Sequence, residues 1–329
     1  MTPFVPSLSR RALLGAGLAA ALPVHAHAQR NNPRAITVVV PFGAGGSVDA
    51  IGRSLAEGMA RHLDQPVVVE NRAGASGAIG CAAVARAPAD GHTLLLGAST
   101  THAVLPNVQL KLAYDPLRDF TPISLAAEVE NALVVHPSVP ARTLAELVAW
   151  CKERKGQVAY GSSGAGGITH LAGELFKSAA GIEAVHVPYK ASSEVDVALM
   201  GGQLQFAFAT LASAIPHIRS GRMHALALAS AERSPFLPEL PTTAQAGFPS
   251  VIAVSWAALY GPAGLPVAQV TRLHAAADAA LRRPELRQRF DTLVARALPS
   301  TPQGLATYQA RDYARWGKVV PTAGIRLEG

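Results

Sequence analysis

The chain has 329 residues, with 29 Lys and Arg against 22 Asp and Glu, for a formal charge of +7. Its basic residues are scattered, with no run of five and little aromatic interleaving, which argues against a nucleic-acid partner; a mild positive field instead helps to gather acidic solutes. No Cys/His cluster has metal-ligand spacing, so neither a metal nor another cofactor is expected.

The first 28 residues read as an export signal. Ser9-Arg10-Arg11-Ala12-Leu13-Leu14 supplies a charged start, Ala12–Leu22 an apolar run, and Ala26-His27-Ala28 a small-x-small cleavage site. An apolar run of about 11 residues is too short for a bilayer core of about 30 Å. Paired arginines before Leu13-Leu14 match a twin-arginine signal; an ordinary secretory signal carrying two arginines is the alternative. No cysteine follows the run to take a lipid, so the expected product is a soluble periplasmic protein; a monomer is expected. Losing residues 1–28 removes Arg10 and Arg11, which lowers the charge to +5 and leaves chain enough for two lobes. Cys81 and Cys151 fall on predicted helices in apolar company and read as buried free thiols, a single bridge being the alternative.

Ile36–Asp49 carries the first site signal. Ile36 and Val38–Val40 around Thr37 read as a strand buried on both faces, ended by Pro41, which has no N–H for a ladder. Gly43, Gly45 and Gly46 make a bare loop, and the helix Ala50–Leu63 follows, with Ser47 or Asp49 as its cap. Unpaired N–H groups and the positive end of a helix dipole suit an anion. Gly-Lys-Ser/Thr is missing, which excludes the phosphate-cradling nucleotide loop. Val48 stands where a dinucleotide fold has its third small residue, although Glu70 at the end of the second strand keeps that reading open. A tight turn without a ligand is the remaining reading.

Strands and helices alternate from there, which predicts an α/β fold with mostly parallel sheets. Pro66–Glu70 is a strand feeding the loop Asn71–Gly77 and the helix Ala78–Ala87; Thr93–Leu96 is a third strand feeding Gly97–His102. Ligands of open α/β sheets lie beyond the carboxyl ends of the strands, so the three loops are expected to converge on one cleft. Ile123–His136, interrupted at Glu128, Glu130 and Asn131, reads as a crossover into a second lobe, and Thr143–Lys155 as an amphipathic helix. There the strand Val158–Tyr160, the glycine–hydroxyl loop Gly161–His170 and the helix Leu171–Ala180 repeat the first pattern. Val185–Tyr189 ends in Lys190-Ala191-Ser192-Ser193, followed by the helix Glu194–Met200, the apolar run Leu204–Ala209 and the helix Ala212–Ser220. Ala225–Ser230 reads as the return crossover, and two crossovers between two glycine-loop faces define a clamshell. Val267–Arg282, Pro284–Leu293 and a last helix from Thr301 to about Lys318 read as packing elements, with Trp256 and Trp316 in the core or hinge. The expected division is 1–28 export signal, 29–126 with about 227–329 as lobe 1, and 127–226 as lobe 2, some C-terminal helices packing on the latter.

These landmarks resemble a known family. Val40-Pro41-Phe42-Gly43-Ala44-Gly45-Gly46-Ser47-Val48-Asp49, Val69–Ala75, Tyr114–Ile123, Val187-Pro188-Tyr189-Lys190, Pro262-Ala263-Gly264 and Trp316–Val320 match, in order, the substrate-binding proteins of tripartite tricarboxylate transporters, the Bug receptors of Bordetella-type bacteria. The resemblance implies a periplasmic binding protein, a type II-like clamshell of two mainly parallel α/β lobes, closing on a small carboxylic acid. A membrane permease would receive the cargo, although many receptors of this family have none encoded nearby; a sensor protein that reads the bound state is the alternative partner. It implies ligand contacts from Phe42, Gly43, Ala44, Gly45, Gly46, Ser47 and Asp49, from Ser163, Thr169 and His170, and from Ser99 and Thr101. Relatives commonly carry an acid where this chain has Thr210; with that acid missing, plain carboxylates or aromatic acids fit better than amino acids. Apart from flanking Arg72 these loops hold no arginine, so backbone N–H groups, hydroxyls and two helix N-termini are expected to meet the ligand's charge.

An enzyme is the rival class, and none is expected. Serine hydrolysis calls for Gly-x-Ser-x-Gly, and Gly161-Ser162-Ser163-Gly164-Ala165 fails at its last position. His102, His170 and His186 lie near predicted strand ends without a nucleophile–base pair legible beside them.

Overall fold

β1 (Ile36–Val40) is the centre of the first lobe, and all its residues but Thr37 are at most 1% exposed. The computed structural model describes residues 34–109 and 111–322; the export-signal reading lies outside them. β1 pairs in parallel with β2 (Val67–Asn71) and β3 (Thr93–Ala98). β4 (Phe120–Val129) ends this lobe's first pass. The second lobe holds β5 (Asn131–Val135), β6 (Ala159–Ser162), β7 (Val185–Pro188), β8 (Phe206–Thr210) and β9 (His224–Leu228). β10 (Ser255–Pro262) and β11 (Ala295–Ala297) return to the first sheet, whose order is β11-β4-β10-β3-β1-β2, against β7-β6-β8-β5-β9 in the second.

Both sheets are mixed, a correction to the expectation of mostly parallel ones. The strands that end in glycine loops pair in parallel, whereas β10 is antiparallel to β3 and β4, and β5 to β8 and β9. The crossovers explain the difference. The chain leaves the first sheet along β4 and returns along β10, and enters the second along β5 and leaves along β9, so each outgoing strand lies beside an incoming one of opposite sense. β10 is not legible in the sequence, because its Ala257-Ala258 and Gly261-Pro262 have little intrinsic strand preference. Its burial between β3 and β4 makes it a strand.

Helices cover the sheets: α1 (Ser47–Leu63), α2 (Ala78–Ala85), α3 (Leu105–Val108), α4 (Leu144–Glu153), α5 (Ile168–Ala180), α6 (Ser192–Met200), α7 (Leu211–Arg219), α8 (Val267–Arg282), α9 (Pro284–Thr292) and α10 (Pro302–Thr322). Those after the loops start earlier than their apolar periodicity suggests, at Ser47, Ile168 and Ser192, because the short hydroxyl residues already take the first helical turn. Cys81 and Cys151 are buried free thiols, and burial pushes them up to about 12 and about 11, so both stay protonated.

The hinge is one residue long on its first strand, since Val129 closes β4 and Asn131 opens β5. Fully buried Asn131 laces three passes of the chain. Its Nδ2 donates to Ala253 O at 2.6 Å and lies 3.3 Å from Ser255 Oγ, its carbonyl accepts from Ala229 N at 2.8 Å, and Ala253 N donates to Ala229 O at 2.8 Å. Trp256, next along β10, donates through Nε1 to Asp312 Oδ2 at 2.9 Å, and both Trp256 and Trp316 are buried, as expected of core or hinge packing.

α1 meets α8 at Gly58, where an added Cβ would lie 2.6 Å from Ala280 Cβ. Gly58→Val should therefore overpack this contact and cost about 1–3 kcal/mol of stability, read as a lower urea midpoint at unchanged slope.

Candidate ligand cleft

A cleft of about 730 Å3 opens between the loop faces of the two sheets. One wall is Phe42–Ala50; the other is Ser163, Lys190–Ser193, Thr210, Ala212 and Ser213, with Thr292 and Leu293 added from the end of α9.

Only one glycine of the first loop is there for its backbone angle: Gly45 sits at φ +84°. Gly43 and Gly46 avoid the left-handed region, and a Cβ on either would meet no atom closer than 3.8 Å. Neither backbone strain nor packing calls for glycine there, and its effect is to leave bare peptide facing the cleft.

Asp49 shapes this loop from behind. Its Oδ2 accepts from Gly45 N at 2.9 Å and Arg53 Nε at 3.0 Å, while Oδ1 accepts from Asn71 Nδ2 at 2.8 Å. Asn71 Nδ2 also donates to Phe42 O at 3.1 Å, so the second strand's end is pinned to the first loop. Burial pushes the Asp49 carboxyl up, but the hydrogen bonds from Arg53, Gly45 and Asn71 outweigh it and hold the group below the usual carboxylate range. The expectation that Ser47 or Asp49 caps α1 is corrected. Gly46 is the N-cap, and no side chain accepts from the helix's first N–H groups.

The second wall repeats the device. α6 starts after Ala191 and α7 after Thr210, again with no side-chain cap. Ser192 Oγ lies 3.4 Å from Thr210 Oγ1, and Ser213 Oγ donates to Thr210 O at 3.0 Å. Three uncapped helix N-termini thus border the cleft, one from the first lobe and two from the second.

Of the residues singled out from the sequence, Phe42, Gly43, Ala44, Gly45, Gly46, Ser47, Ser163 and Thr210 line this space, as does Asp49, though with its carboxylate bound behind the loop. Thr169 and His170 stand behind Ser163: Thr169 Oγ1 accepts from Ser163 N at 3.2 Å, and His170 Nδ1 accepts from Gly166 N at 3.0 Å. Ser99 and Thr101 do not reach the cleft. Both are buried, Ser99 Oγ accepting from Trp256 N at 3.4 Å and Thr101 Oγ1 donating to Ala98 O at 3.0 Å. His102 beside them is stacked on Tyr260 at 4.3 Å and kept neutral, burial pushing it down to about 3. The three loops of the first lobe do converge, but as layers of which only the first meets the cleft.

Lys190, Ser192, Ser193, Ser213, Thr292 and Leu293 were missed as cleft residues. Lys190–Ser193 had a legible signal, since they follow a strand end as the glycine loops do. Thr292 and Leu293 had none, because they end a helix that reads as packing. Lys190 also corrects the charge expectation, as it brings a cationic side chain to the wall.

Two rival readings lose their geometry. Glu70, the candidate ribose carboxylate, is exposed and bound to Arg72 Nε at 2.5 Å, outside the cleft wall. Ser162 Oγ does lie 2.7 Å from His186 Nε2, a pair the sequence did not reveal, but Ser162 is fully buried and its hydroxyl is closed to a substrate.

A cleft between two α/β lobes joined at a hinge, walled by bare peptide and helix N-termini, defines a two-lobed binding protein. The comparisons then identify the family. The model of the tripartite tricarboxylate transporter family receptor matches residues 51–325, and the chain belongs to that family of periplasmic receptors. It is 36% identical over 314 residues to protein BugT of Bordetella pertussis, covering 95% of each chain. It is also similar to a Rhodopseudomonas palustris protein solved with adipate, at TM-score 0.81 and 36% identity, covering 89% of this chain and 99% of that one. MatC of Rhodopseudomonas palustris, solved with bound malate, aligns at TM-score 0.78 and 32% identity, covering 87% and 99%.

Asp49→Ala should free Gly45 N and Asn71 together, costing about 1–3 kcal/mol. Because the folded carboxyl lies below its ordinary value, the wild-type advantage is full above about pH 4 and fades as pH falls further, so the two urea midpoints should converge in acid.

Proposed function

We propose that this chain captures a small di- or tricarboxylate between its lobes and hands it to the membrane component of a tripartite transporter. The observation that carries this reading is the pairing of bare glycine backbone and α1's uncapped N-terminus with the hydroxyls and Lys190 of the opposite wall. Anions fit such a surface, and the structural relatives solved with adipate and malate give the class. Charge-assisted hydrogen bonds contribute roughly 1.5–3 kcal/mol each. Four or five of them, less the cost of ordering the ligand and closing the lobes, support micromolar or tighter binding.

Because the contacts come from both walls, the ligand favours the closed arrangement by its differential affinity, and a permease can read closure. The working division is 29–126 with about 227–329 as one lobe and 127–226 as the other. Export follows the twin-arginine route, the protein acts as a monomer, and it binds its cargo without turnover. Thr210, facing Ser192, keeps an acid out of the second wall and tilts preference from amino acids toward plain carboxylates.

Thermal shift of the mature protein with adipate, malate, citrate, aspartate and benzoate tests this. A ligand at 100 times its Kd should add about 2.7 kcal/mol, a plain rise in Tm. No shift with any acid, after unfolding and refolding to strip resident ligand, overturns the reading. Lys190→Met should weaken a dicarboxylate by about tenfold, the worth of one charge-assisted contact, and benzoate by less. Thr210→Asp should weaken every plain carboxylate; unchanged affinity removes the selectivity argument.

A further inference from the structure

Behind the second wall, two imidazoles are stacked 3.8 Å apart, His170 on α5 and His186 on β7. Both hold the same loop. His170 Nδ1 accepts from Gly166 N at 3.0 Å. His186 Nε2 lies 2.7 Å from Ser162 Oγ, which in turn donates to Gly164 O at 3.1 Å and lies 3.4 Å from Gly164 N. Ser163, the residue of this loop that lines the cleft, is therefore flanked on both sides by histidine-held positions.

The pair's surroundings leave little room for added positive charge. Tyr160 on β6 faces both rings, at 6.5 Å from His170 and 5.0 Å from His186. Glu174 on α5 is the nearby acid, and its Oε1 already accepts from Tyr160 OH at 2.5 Å and Lys177 Nζ at 2.7 Å. Lys177 matches that carboxylate, so a proton on either imidazole would add net charge in a half-buried pocket. Burial is the main cause that lowers both histidines, His186 to about 4. Glu174 pulls His170 up, Lys177 pushes it down, and His170 itself lowers His186.

We propose that His170 and His186 are positioning residues that keep Ser163 and its glycine loop ligand-ready only while both are uncharged, so that the protein releases carboxylates on acidification. The proposal rests on the carboxylate reading of the cleft. The reason is stereochemical as well as electrostatic. Nδ1 of a charged His170 bears a proton and cannot accept from Gly166 N, and a second charge would stack on the first. The sign follows from linkage. The folded bases lie below their ordinary value of 6.5, so the held loop is at full stability above about pH 6.5 and loses it as pH falls toward 4.

The test replaces each ring by an uncharged amide, which offers an acceptor toward Gly166 N and a donor toward Ser162 Oγ, in His170→Asn with His186→Gln. Adipate affinity of the mature wild type and of this double variant is measured by calorimetry from about pH 7 to about pH 4, with far-UV circular dichroism to confirm folding at each point. The wild type should weaken by at least about fivefold more than the variant over this range, and recover on return to pH 7. Parallel profiles for the two proteins, which would report only adipate's own protonation, overturn the proposal. A ligand-free readout separates this from failure of the carboxylate reading. In the apo wild type, the Gly166 amide resonance should move with the His170 C2–H titration. If adipate and malate fail to bind but that coupling is present, the cargo assignment falls and the histidine hold on the loop stands. If the Gly166 amide is indifferent to the His170 titration, the hold itself is wrong. Should the double variant unfold, His170→Asn alone, which replaces the titrating ring that accepts from Gly166 N, answers the same question.

Discussion

Everything the first wall offers a ligand depends on where one buried carboxylate is aimed. Asp49 lies in the first turn of α1, a position from which an acid commonly turns to a helix's free N–H groups. Here it turns away, toward Gly45 N, Asn71 and Arg53. That choice folds the glycine loop back on the helix and ties it to the end of β2, and the N-terminal N–H groups stay without a side-chain partner. An acid at the mouth of an anion site would repel the ligand. Held behind the loop, with its charge met by a guanidinium and two N–H donors, it becomes the brace for the bare peptide in front.

The second constraint is topological. Opposed walls need two sheets that move about a narrow joint, and the joint here is β4 passing into β5 through Glu130 alone. Asn131 spends its side-chain amide and its carbonyl on the neighbouring passes at Ala253, Ser255 and Ala229. Its Nδ2 and its backbone carbonyl thus tie the start of β5 to both ends of the returning segment where the lobes meet, while its buried Oδ1 has no partner among the described residues. The antiparallel halves of the two sheets follow from the same crossings, so hinge and sheet topology are one feature seen at two scales.

Much of the site was legible because chemistry and punctuation coincide along the chain. Gly43–Asp49 and Ser163 follow strands, precede helices and consist of residues with little bulk, and the structure brings them to one cleft. Ser99 and Thr101 follow the same rule, yet they are buried, because their hydroxyls are taken up by the backbone of Trp256 and Ala98. Thr169 and His170 match the pattern too and serve one layer back, holding the loop that presents Ser163. Sequence order does not encode which layer a loop occupies.

By itself the sequence determined the α/β alternation, the two crossovers, the helical tail and the family, since each rests on local periodicity or on motifs read in order. The tertiary structure decided what depends on neighbours distant along the chain. Burial between β3 and β4 made β10 a strand despite its alanines, and crossings of opposite sense made the sheets mixed. Packing of α9 carried Thr292 and Leu293 to the cleft, and the folding of β7 against β6 set His186 on His170. Spacing along a chain fixes which elements form; only their packing fixes which atoms share a wall.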